Sequence, residues 1–294
     1  MSRPVMFNGR LSKNELDIWF ELIEETSETK LRNRNLAQQF LSLPECIIFA
    51  SSVENQIIGG SSIYRDRTRL SMVLVSVAVK ESFRDSATYQ IIKSSLPFFK
   101  TVAIRDVDVL IGKDEDKDKI GFPLSLEVEQ WTRDAIKRVG FEEAAKIGQY
   151  SFECTEEHNT SLKWDERPNM EGAKELIWDQ GKQLGLTNSL VWVARDFAIN
   201  HRNLVTSTVD DTTVAVAGLW KVEDALVVSP FVTNPNLLDW NEIAEGIISE
   251  GSRVNAKRIQ FPIMGEGQSG LIEELERRTD LESSRELSLL RKPL

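Results

Sequence analysis

The two halves of this 294-residue chain end in the same order of predicted segments. Residues 126–153 predict an amphipathic helix, a Gly-Phe break and a strand, and residues 271–291 repeat helix, break and strand. Upstream of each tail lie a predicted strand, a longer helix and another strand: Leu70–Val79, Ala87–Phe99 and Val107–Ile111 in the first half, and Ala225–Val232, Leu238–Ser252 and Arg258–Ile263 in the second. A unit that recurs at half the chain length predicts two copies of one domain.

The length and the composition agree with two globular domains. The chain is longer than one core usually supports, and 41% of its residues are apolar. No apolar run approaches the ~20 residues of a membrane-spanning helix, and no leader segment opens the sequence, so we expect neither a membrane anchor nor secretion. Cys46 and Cys154 are not spaced as metal ligands, which predicts reduced thiols in a cytoplasmic protein. The net charge of −10 disfavours nucleic acid and anionic membranes as partners.

The first half predicts the element order α-α-β-β-β-α-β-α-β, with a short strand at Val5–Phe7 before it. Ser12 and Glu15 form a capping box, and apolar residues at helical spacing follow, which predicts a helix over residues 13–25. The other predicted elements are a helix over Leu31–Leu43, strands over Cys46–Ala50 and Gln56–Tyr64, the strand, helix and strand given above, a helix over Leu126–Val139 and a strand over Ala145–Glu153. The β-branched segment Leu70–Val79 lacks alternation, which suits the centre of a sheet.

A polar segment over residues 155–170 predicts a linker between an N-terminal domain of residues 1–154 and a more divergent C-terminal domain of residues 171–294. Besides the repeated elements, the second domain predicts a helix over Glu171–Leu184, a strand over Ser189–Ala194 and a hairpin of Thr212–Lys221 with Ala225–Val232. Residues 195–211 receive no assignment. The predicted fold class is therefore α/β, with a mixed sheet in each of two tandem domains.

This order of elements, with the stretch Arg138-Val139-Gly140-Phe141-Glu142-Glu143, resembles the GCN5-related N-acetyltransferase (GNAT) fold. The resemblance covers about residues 5–153 and, more faintly, 206–294. It implies acetyl-CoA as cofactor, a small-molecule or protein amine as acceptor, and a sheet that opens between its fourth and fifth strands. In the first half, the resemblance implies that the pantetheine of CoA pairs there with the backbone of Val77 and Val79.

The resemblance also implies a pyrophosphate site at the start of the helix after the fourth strand, where backbone amides and the helix dipole face an anion. The family pattern Arg/Gln-x-x-Gly-x-Gly/Ala aligns with Arg84-Asp85-Ser86-Ala87-Thr88-Tyr89. The cofactor contacts implied here are those of four residues: Arg84, Ser86, Ala87 and Thr88. Ala87 and Tyr89 replace the two glycines and Asp85 adds a negative charge, so the loop departs from the pattern. If CoA binds, Tyr89 must point away from the phosphates.

The catalytic positions depart from the family pattern as well. The tyrosine that many GNAT enzymes place four residues before the Gly-Phe pair corresponds to Ile136, and to an apolar position near Leu275 in the second half. The strand Leu70–Val79 carries no carboxylate that would deprotonate an amine. Tyr150 and Glu153 offer substitutes, although a strand tyrosine packed at the surface is the simpler interpretation. No catalytic residue is assigned.

Three other patterns resemble parts of ligand sites. Gly265–Gly270 matches G-x-G-x-x-G, but too little chain follows it for a Rossmann domain, which favours a loop between strand and helix. Lys113–Lys119 resembles the start of a calcium loop but lacks the required glycine and closing glutamate, which favours a solvated loop. His158 and His201 are isolated, so no metal site is predicted.

Two alternative functions follow from the resemblance and from the departures from its pattern. The first is an N-acyltransferase that moves an acetyl group from acetyl-CoA to an unidentified amine. The second is a catalytically degenerate GNAT scaffold, a pseudoenzyme that acts as a binding or interaction protein. The oligomeric state is not predicted.

Overall fold

The computed structural model describes residues 6–26, 34–66, 70–101, 104–112, 119–155, 162–186 and 188–294. The chain forms two compact units, and each contains both strands and helices, which agrees with the predicted fold class. Met1–Ala145 and Ser288–Leu294 form the first unit, and Lys146–Leu287 form the second. The linker predicted over residues 155–170 stays a prediction.

The first unit follows the predicted element order. Its elements are β1 (Met6–Arg10), α1 (Leu16–Thr26), α2 (Arg34–Ser42), β2 (Cys46–Val53), β3 (Gln56–Asp66), β4 (Ser71–Val79), α3 (Arg84–Thr101), β5 (Asp106–Gly112), β6 (Glu127–Val128), α4 (Arg133–Val139), the start of β7 (Glu142–Glu153) and the end of β12 (Leu281–Pro293). The sheet order runs β1-β2-β3-β4-β5 and continues with β12. Neighbouring strands from β1 to β4 are antiparallel, whereas β4 and β5 are parallel.

The start of the first helical segment confirms the predicted capping box. The Glu15 carboxylate accepts from the Ser12 amide at 2.9 Å and from the Ser12 hydroxyl at 2.8 Å. A short 3₁₀ turn precedes α1, and α1 then buries Trp19, Phe20 and Ile23. Helix and core therefore form where the apolar spacing predicts them.

The predicted helix over Leu126–Val139 is wrong in its first half. α4 begins only at Arg133, after the two-residue strand β6 and a 3₁₀ turn. Leu126 has a φ of 52°, in the left-handed region that no helix accommodates, so the chain must change direction there. Gly140, with a φ of 99°, ends α4 as the Gly-Phe pattern predicts.

The last residues of the chain contribute to the core of the first unit. Leu290 is buried in the same apolar cluster as β4 and β5. The Arg291 guanidinium donates two hydrogen bonds to the buried Asp108 carboxylate, at 2.7 and 3.0 Å, and this pairing raises the pKa of Arg291. The Leu294 amide donates to the Arg105 carbonyl at 3.0 Å. The first unit is therefore assembled from both ends of the sequence.

The second unit repeats the element order. Its elements are the rest of β7, α5 (Met170–Gln180), α6 (Ser189–Asn200), β8 (Leu204–Val209), β9 (Thr212–Val222), β10 (Ala225–Thr233), α7 (Trp240–Arg253), β11 (Arg258–Met264), α8 (Ser269–Arg278) and the start of β12. The sheet order is β12-β7-β11-β10-β9-β8. The predicted hairpin of β9 and β10 is confirmed, and β10 and β11 are parallel. Among the described residues, no helix has both the length and the apolar content of a membrane span.

The strand predicted over Ser189–Ala194 is wrong, because these residues open the helix α6. The Asn188 side chain caps this helix by accepting from the amides of Leu190 and Val191, at 3.1 and 3.3 Å. α6 is buried over most of its surface, and its residues 190–194 form an unbroken apolar run without helical spacing. A short run of this kind does not separate a buried strand from a buried helix. The unassigned residues 195–211 hold the end of α6 and all of β8.

Candidate functional site

The sheet of the first unit opens between β4 and β5, as predicted. The two strands pair only at Ser71, Met72 and Val73 of β4, and they separate beyond these residues. We call the space between the separated ends of β4 and β5 the first notch. It lies at the carboxyl ends of two parallel strands, where ligands of open α/β sheets commonly bind.

The backbone groups of Val77 and Val79 face the first notch. The Lys80 amide donates to the Ile58 carbonyl of the β3 side at 2.8 Å, in register with the pairing of Val79 and Gly59. Backbone groups alternate in direction along a strand, so residues 76, 78 and 80 bond to β3 and residues 77 and 79 point the other way. The geometry expected for Val77 and Val79 is therefore present, and their contact with a cofactor stays a prediction.

A segment of the same chain, residues 119–129, fills the first notch. Within it, β6 pairs in parallel with Leu110 and Ile111 of β5. Ile120, Leu124 and Leu126 are buried. The space left between this segment and the notch face of β4 measures about 40 Å³. A volume of that size holds water molecules, whereas sites for drug-sized ligands measure about 300–1,000 Å³.

A buried ion pair holds the two ends of this segment together. The Lys119 ammonium lies 3.1 Å from the Glu129 carboxylate, and the two side chains are only 7% and 11% exposed. Lys119 ends the predicted solvated loop, and the solvated interpretation is wrong for this residue because the pair is inside the unit. Residues 113–118 lie outside the described residues.

The predicted pyrophosphate residues lie at the start of α3, and their side chains are engaged within the unit. Arg84 donates to the Thr26 carbonyl at 2.8 Å and stacks over the Trp131 ring at 4.6 Å. The Ser86 hydroxyl donates to the Phe83 carbonyl at 3.3 Å, and the Thr88 hydroxyl donates to the Arg84 carbonyl at 2.6 Å. Thr88, like Ala87, is buried. Their role as phosphate contacts stays a prediction.

Tyr89 points away from the start of α3. Its ring packs against the apolar core of the unit. The Arg138 guanidinium lies over the ring at 4.8 Å, and the Lys93 ammonium lies over it at 5.3 Å. This is the orientation that CoA binding at the start of α3 would require, and cation–π contacts also explain it without a ligand.

The second unit has an equivalent notch between β10 and β11. These strands pair in parallel only at Ala225, Leu226 and Val227 of β10 and then separate. We call this space the second notch. The fully buried Gln268 accepts from the Gly265 amide at 2.9 Å through its carbonyl and donates to the Phe231 carbonyl of β10 at 3.0 Å through its amide. One glutamine side chain therefore joins β10 to the end of β11.

The glycine-rich stretch that follows β11 packs against the loop between α5 and α6. A Cβ atom on Gly265 would lie 1.7 Å from the Leu184 carbonyl oxygen, and one on Gly267 would lie 2.2 Å from the Gln183 carbonyl oxygen. Only glycine permits such an approach of two backbones. Internal packing accounts for the G-x-G-x-x-G spacing, so the spacing gives no support to the nucleotide alternative.

Of the positions considered in place of the family's tyrosine, Ile136, Leu275 and Tyr150 are buried or half-buried. Ile136 and Leu275, which replace the family's tyrosine, are fully buried. Tyr150 lies on β7 in the second unit, where burial and the nearby Glu276 carboxylate raise the pKa of its phenol. It lines a cavity of about 380 Å³ at the end of β11, together with Lys146, Gly265, Glu266 and other residues of mixed charge.

The histidines contribute no metal site in the part of the chain that the structure describes. His201 ends α6, with Nδ1 lying 2.9 Å from the Phe197 carbonyl oxygen and the ring packed beside Trp220. Among these described residues, no cluster of histidine, cysteine and carboxylate side chains has the spacing of a metal site. His158 lies outside them.

Comparison with solved structures identifies the fold. No protein-family model and no curated protein matches the chain. The chain is similar over 98% of its length to a tandem GNAT protein from the clavulanic acid biosynthesis pathway, with a TM-score of 0.61 and 9% identity over 98% of that protein. The protein has a tandem GNAT fold.

Two further GNAT-fold structures agree with this result. A GCN5-related N-acetyltransferase from Sphaerobacter thermophilus gives a TM-score of 0.62 at 9% identity, covering 98% of this chain and 95% of that one. An acetyltransferase candidate from Pyrococcus horikoshii gives 0.65 at 11% identity, covering 98% and 89%. At such identities the likeness concerns the fold, and activity must be argued from the residues of each notch.

Proposed function

We propose that this tandem GNAT-fold protein acts by binding a partner, and that CoA-dependent acetyl transfer is not its function. The observation that carries the proposal is that the chain fills its own first notch. Acyl-CoA would have to enter between β4 and β5, where β6 already pairs with β5 and only about 40 Å³ remains between residues 119–129 and β4. The residues present therefore do not fit acetyl-CoA at this notch in the described structure.

The second notch supports the same conclusion by a different arrangement. Gln268 takes the hydrogen bonds of Phe231 and Gly265, and both of these groups lie where a ligand would enter. A ligand in this notch must replace both bonds, and an unpaired buried backbone group costs about 1–3 kcal/mol. Pro235 also removes one backbone donor from the connection that follows β10.

The second candidate function is N-acetyl transfer from acetyl-CoA to a small-molecule or protein amine. The observation that favours it is the separation of β4 and β5, with the backbone groups of Val77 and Val79 directed into the notch. In this alternative, residues 119–129 leave the notch before the cofactor binds. Arg84, Ser86, Ala87 and Thr88 would then hold its pyrophosphate.

Calorimetric titration of the whole chain with acetyl-CoA separates the two functions. We expect no binding up to about 1 mM ligand, a free energy of about −4 kcal/mol, because the occupied notches offer no slot. We also expect no acetylation of a panel of amines. A dissociation constant below that limit, with transfer to any amine, would overturn the proposal in favour of the second candidate.

If binding is measured, one substitution locates it. Arg84→Ala removes a charge-assisted contact worth about 1.5–3 kcal/mol, so the affinity should fall about ten- to a hundredfold if the phosphates lie at the start of α3. Arg277→Ala is the matched control, because Arg277 is 67% exposed on α8 and pairs only along its own helix with Glu274 in the described contacts. Equal effects of the two changes would place the ligand elsewhere.

A further inference from the structure

The strand β1 forms an edge of the sheet in the first unit. The sheet order begins with β1, and no element pairs with the outer side of β1 in the part of the chain that the structure describes. An edge strand offers a row of backbone donors and acceptors to another strand. β1 reads Met6-Phe7-Asn8-Gly9-Arg10, so it has no proline to interrupt such pairing.

The hydrogen bonds to β2 determine which groups of β1 face outward. The Leu11 amide donates to the Ile48 carbonyl at 2.9 Å, in register with the antiparallel pairing of Arg10 and Phe49. The alternation of an antiparallel ladder then assigns the odd-numbered residues of β1 to β2. The amides and carbonyls of Met6, Asn8 and Arg10 point to the free edge.

The side chains of β1 are complementary to a second copy of the same strand. Phe7 is 64% exposed, more than any other large apolar side chain in the described residues. Gly9 lies on the same face, and a Cβ atom placed on it would have no neighbour within 4 Å. In an antiparallel pair centred on Asn8, each Phe7 faces the partner's Gly9. An aromatic ring on one strand then covers the open backbone of the other.

We propose that two copies of this chain associate through their β1 edges, antiparallel and with Asn8 on the two-fold axis. This register uses all five residues of β1. It places the outward groups of Met6 opposite those of the partner's Arg10, and the outward groups of Asn8 opposite each other, which is the hydrogen-bonded type of pair. It also separates the two Arg10 side chains by four residues, roughly 14 Å, so the cations do not meet.

The association is weak and depends on salt. Five residues from each copy bury far less than the roughly 1,200–2,000 Å² of a stable interface. Each copy carries a net charge of −10, so the copies repel each other at low ionic strength. The dimer should therefore become more populated as salt screens this repulsion.

Sedimentation velocity of the whole chain, from about 10 µM to about 1 mM in two salt concentrations, tests the association. We expect a reversible dimer that Phe7→Lys weakens at least tenfold, because it places an ammonium group over the partner's backbone. Leu237→Lys is the matched control: Leu237 is 53% exposed in the second unit and should leave the dimer unchanged. A chain that stays monomeric throughout, or equal losses in the two variants, overturns the proposal. Thermal unfolding of each variant confirms that it is folded.

Disulfide cross-linking tests the register. In a Cys154→Ser background, with Cys46 buried, Asn8→Cys places two thiols in a pair whose Cα atoms are about 5.5 Å apart, within reach of a disulfide. Arg10→Cys on the same strand is about 14 Å from its copy and should not cross-link. Cross-linking through Arg10→Cys, or through Phe7→Cys and not Asn8→Cys, overturns the proposed register. The test does not depend on whether acetyl-CoA binds.

Discussion

The two notches of this protein open in the same way and are filled in different ways. In each unit the two parallel strands pair at three residues and then separate. Residues 119–129 fill the first notch with main chain, whereas the single side chain of Gln268 joins the strands across the second. The strand separation is therefore a property of the fold, whereas the residues that occupy each notch depend on the local sequence.

This difference shows that the residues inside each notch, rather than the strand separation, bear on the function of a tandem GNAT fold. A strand separation that both units share does not by itself establish activity, because a segment of the chain lies in one notch and a side chain bridges the other. Residues 119–129 in the first notch and Gln268 in the second are unrelated in sequence, yet each occupies the space between two separated strands. Substitutions that disturb one notch without the other test whether the two arrangements are independent.

The largest expected effect concerns the buried ion pair in the first notch. Lys119→Met leaves Glu129 without its buried cation, and breaking such a pair costs about 3–5 kcal/mol. Urea unfolding, with hydrogen exchange to locate the loss, should show the first unit destabilised by that amount and the second unaffected. The double variant Lys119→Met/Glu129→Met removes both charges and should recover most of the stability.

Lys174 provides the control for that prediction. It pairs with Glu171 at 3.5 Å on the exposed surface of α5, so Lys174→Met should change stability by less than about 1 kcal/mol. If Lys119→Met is no more costly than Lys174→Met, the ion pair does not hold residues 119–129 in the first notch.

The second notch is expected to respond to Gln268→Leu with a local loss of stability. This change leaves the Gly265 amide and the Phe231 carbonyl without the partner that they have in the structure, at a cost of about 1–3 kcal/mol for each group. Faster hydrogen exchange should be confined to β10, β11 and α8. Gln183→Leu, on an exposed residue of the neighbouring loop, should cost less than about 0.5 kcal/mol. Loss of protection in the first unit would contradict the independence of the two notches.

The smallest expected effect concerns the start of the first helical segment after Ser12, in comparison with the start of α5. Hydrogen bonds from Ser12 lower the pKa of Glu15 at the start of the first helical segment, whereas the uncharged Asn169 caps α5 by accepting from the Gly172 amide at 3.0 Å. A lowered carboxyl pKa stabilises the folded state above the ordinary pKa, and this contribution disappears as the pH falls through the lowered value. Acidification should therefore shift the NMR signal of the Ser12 amide, which donates to Glu15, far more than that of the Gly172 amide, whose acceptor Asn169 does not titrate. Glu15→Gln should abolish the shift.

The sequence predicts most of the fold and only the outline of the site. Long apolar or amphipathic segments such as β4 and α7 lie close to their predicted ranges, and the opening between β4 and β5 is where the resemblance implies it. The two-residue strand β6 is shorter than any periodic pattern, and its place beside β5 depends on contacts that sequence spacing does not encode. Gln268 is polar and fully buried, so its environment contradicts its residue type.

The discontinuous first unit has a consequence for the timing of folding. The ribosome makes residues 1–145 first, but Ser288–Leu294, including the arginine that pairs with Asp108, emerge only about 140 residues later. At roughly 5–20 residues per second, the nascent first unit waits on the order of ten seconds for its last strand. During that time its sheet has a vacant edge at β5 and a buried carboxylate without that arginine. The half of the protein that is synthesised first is therefore completed last.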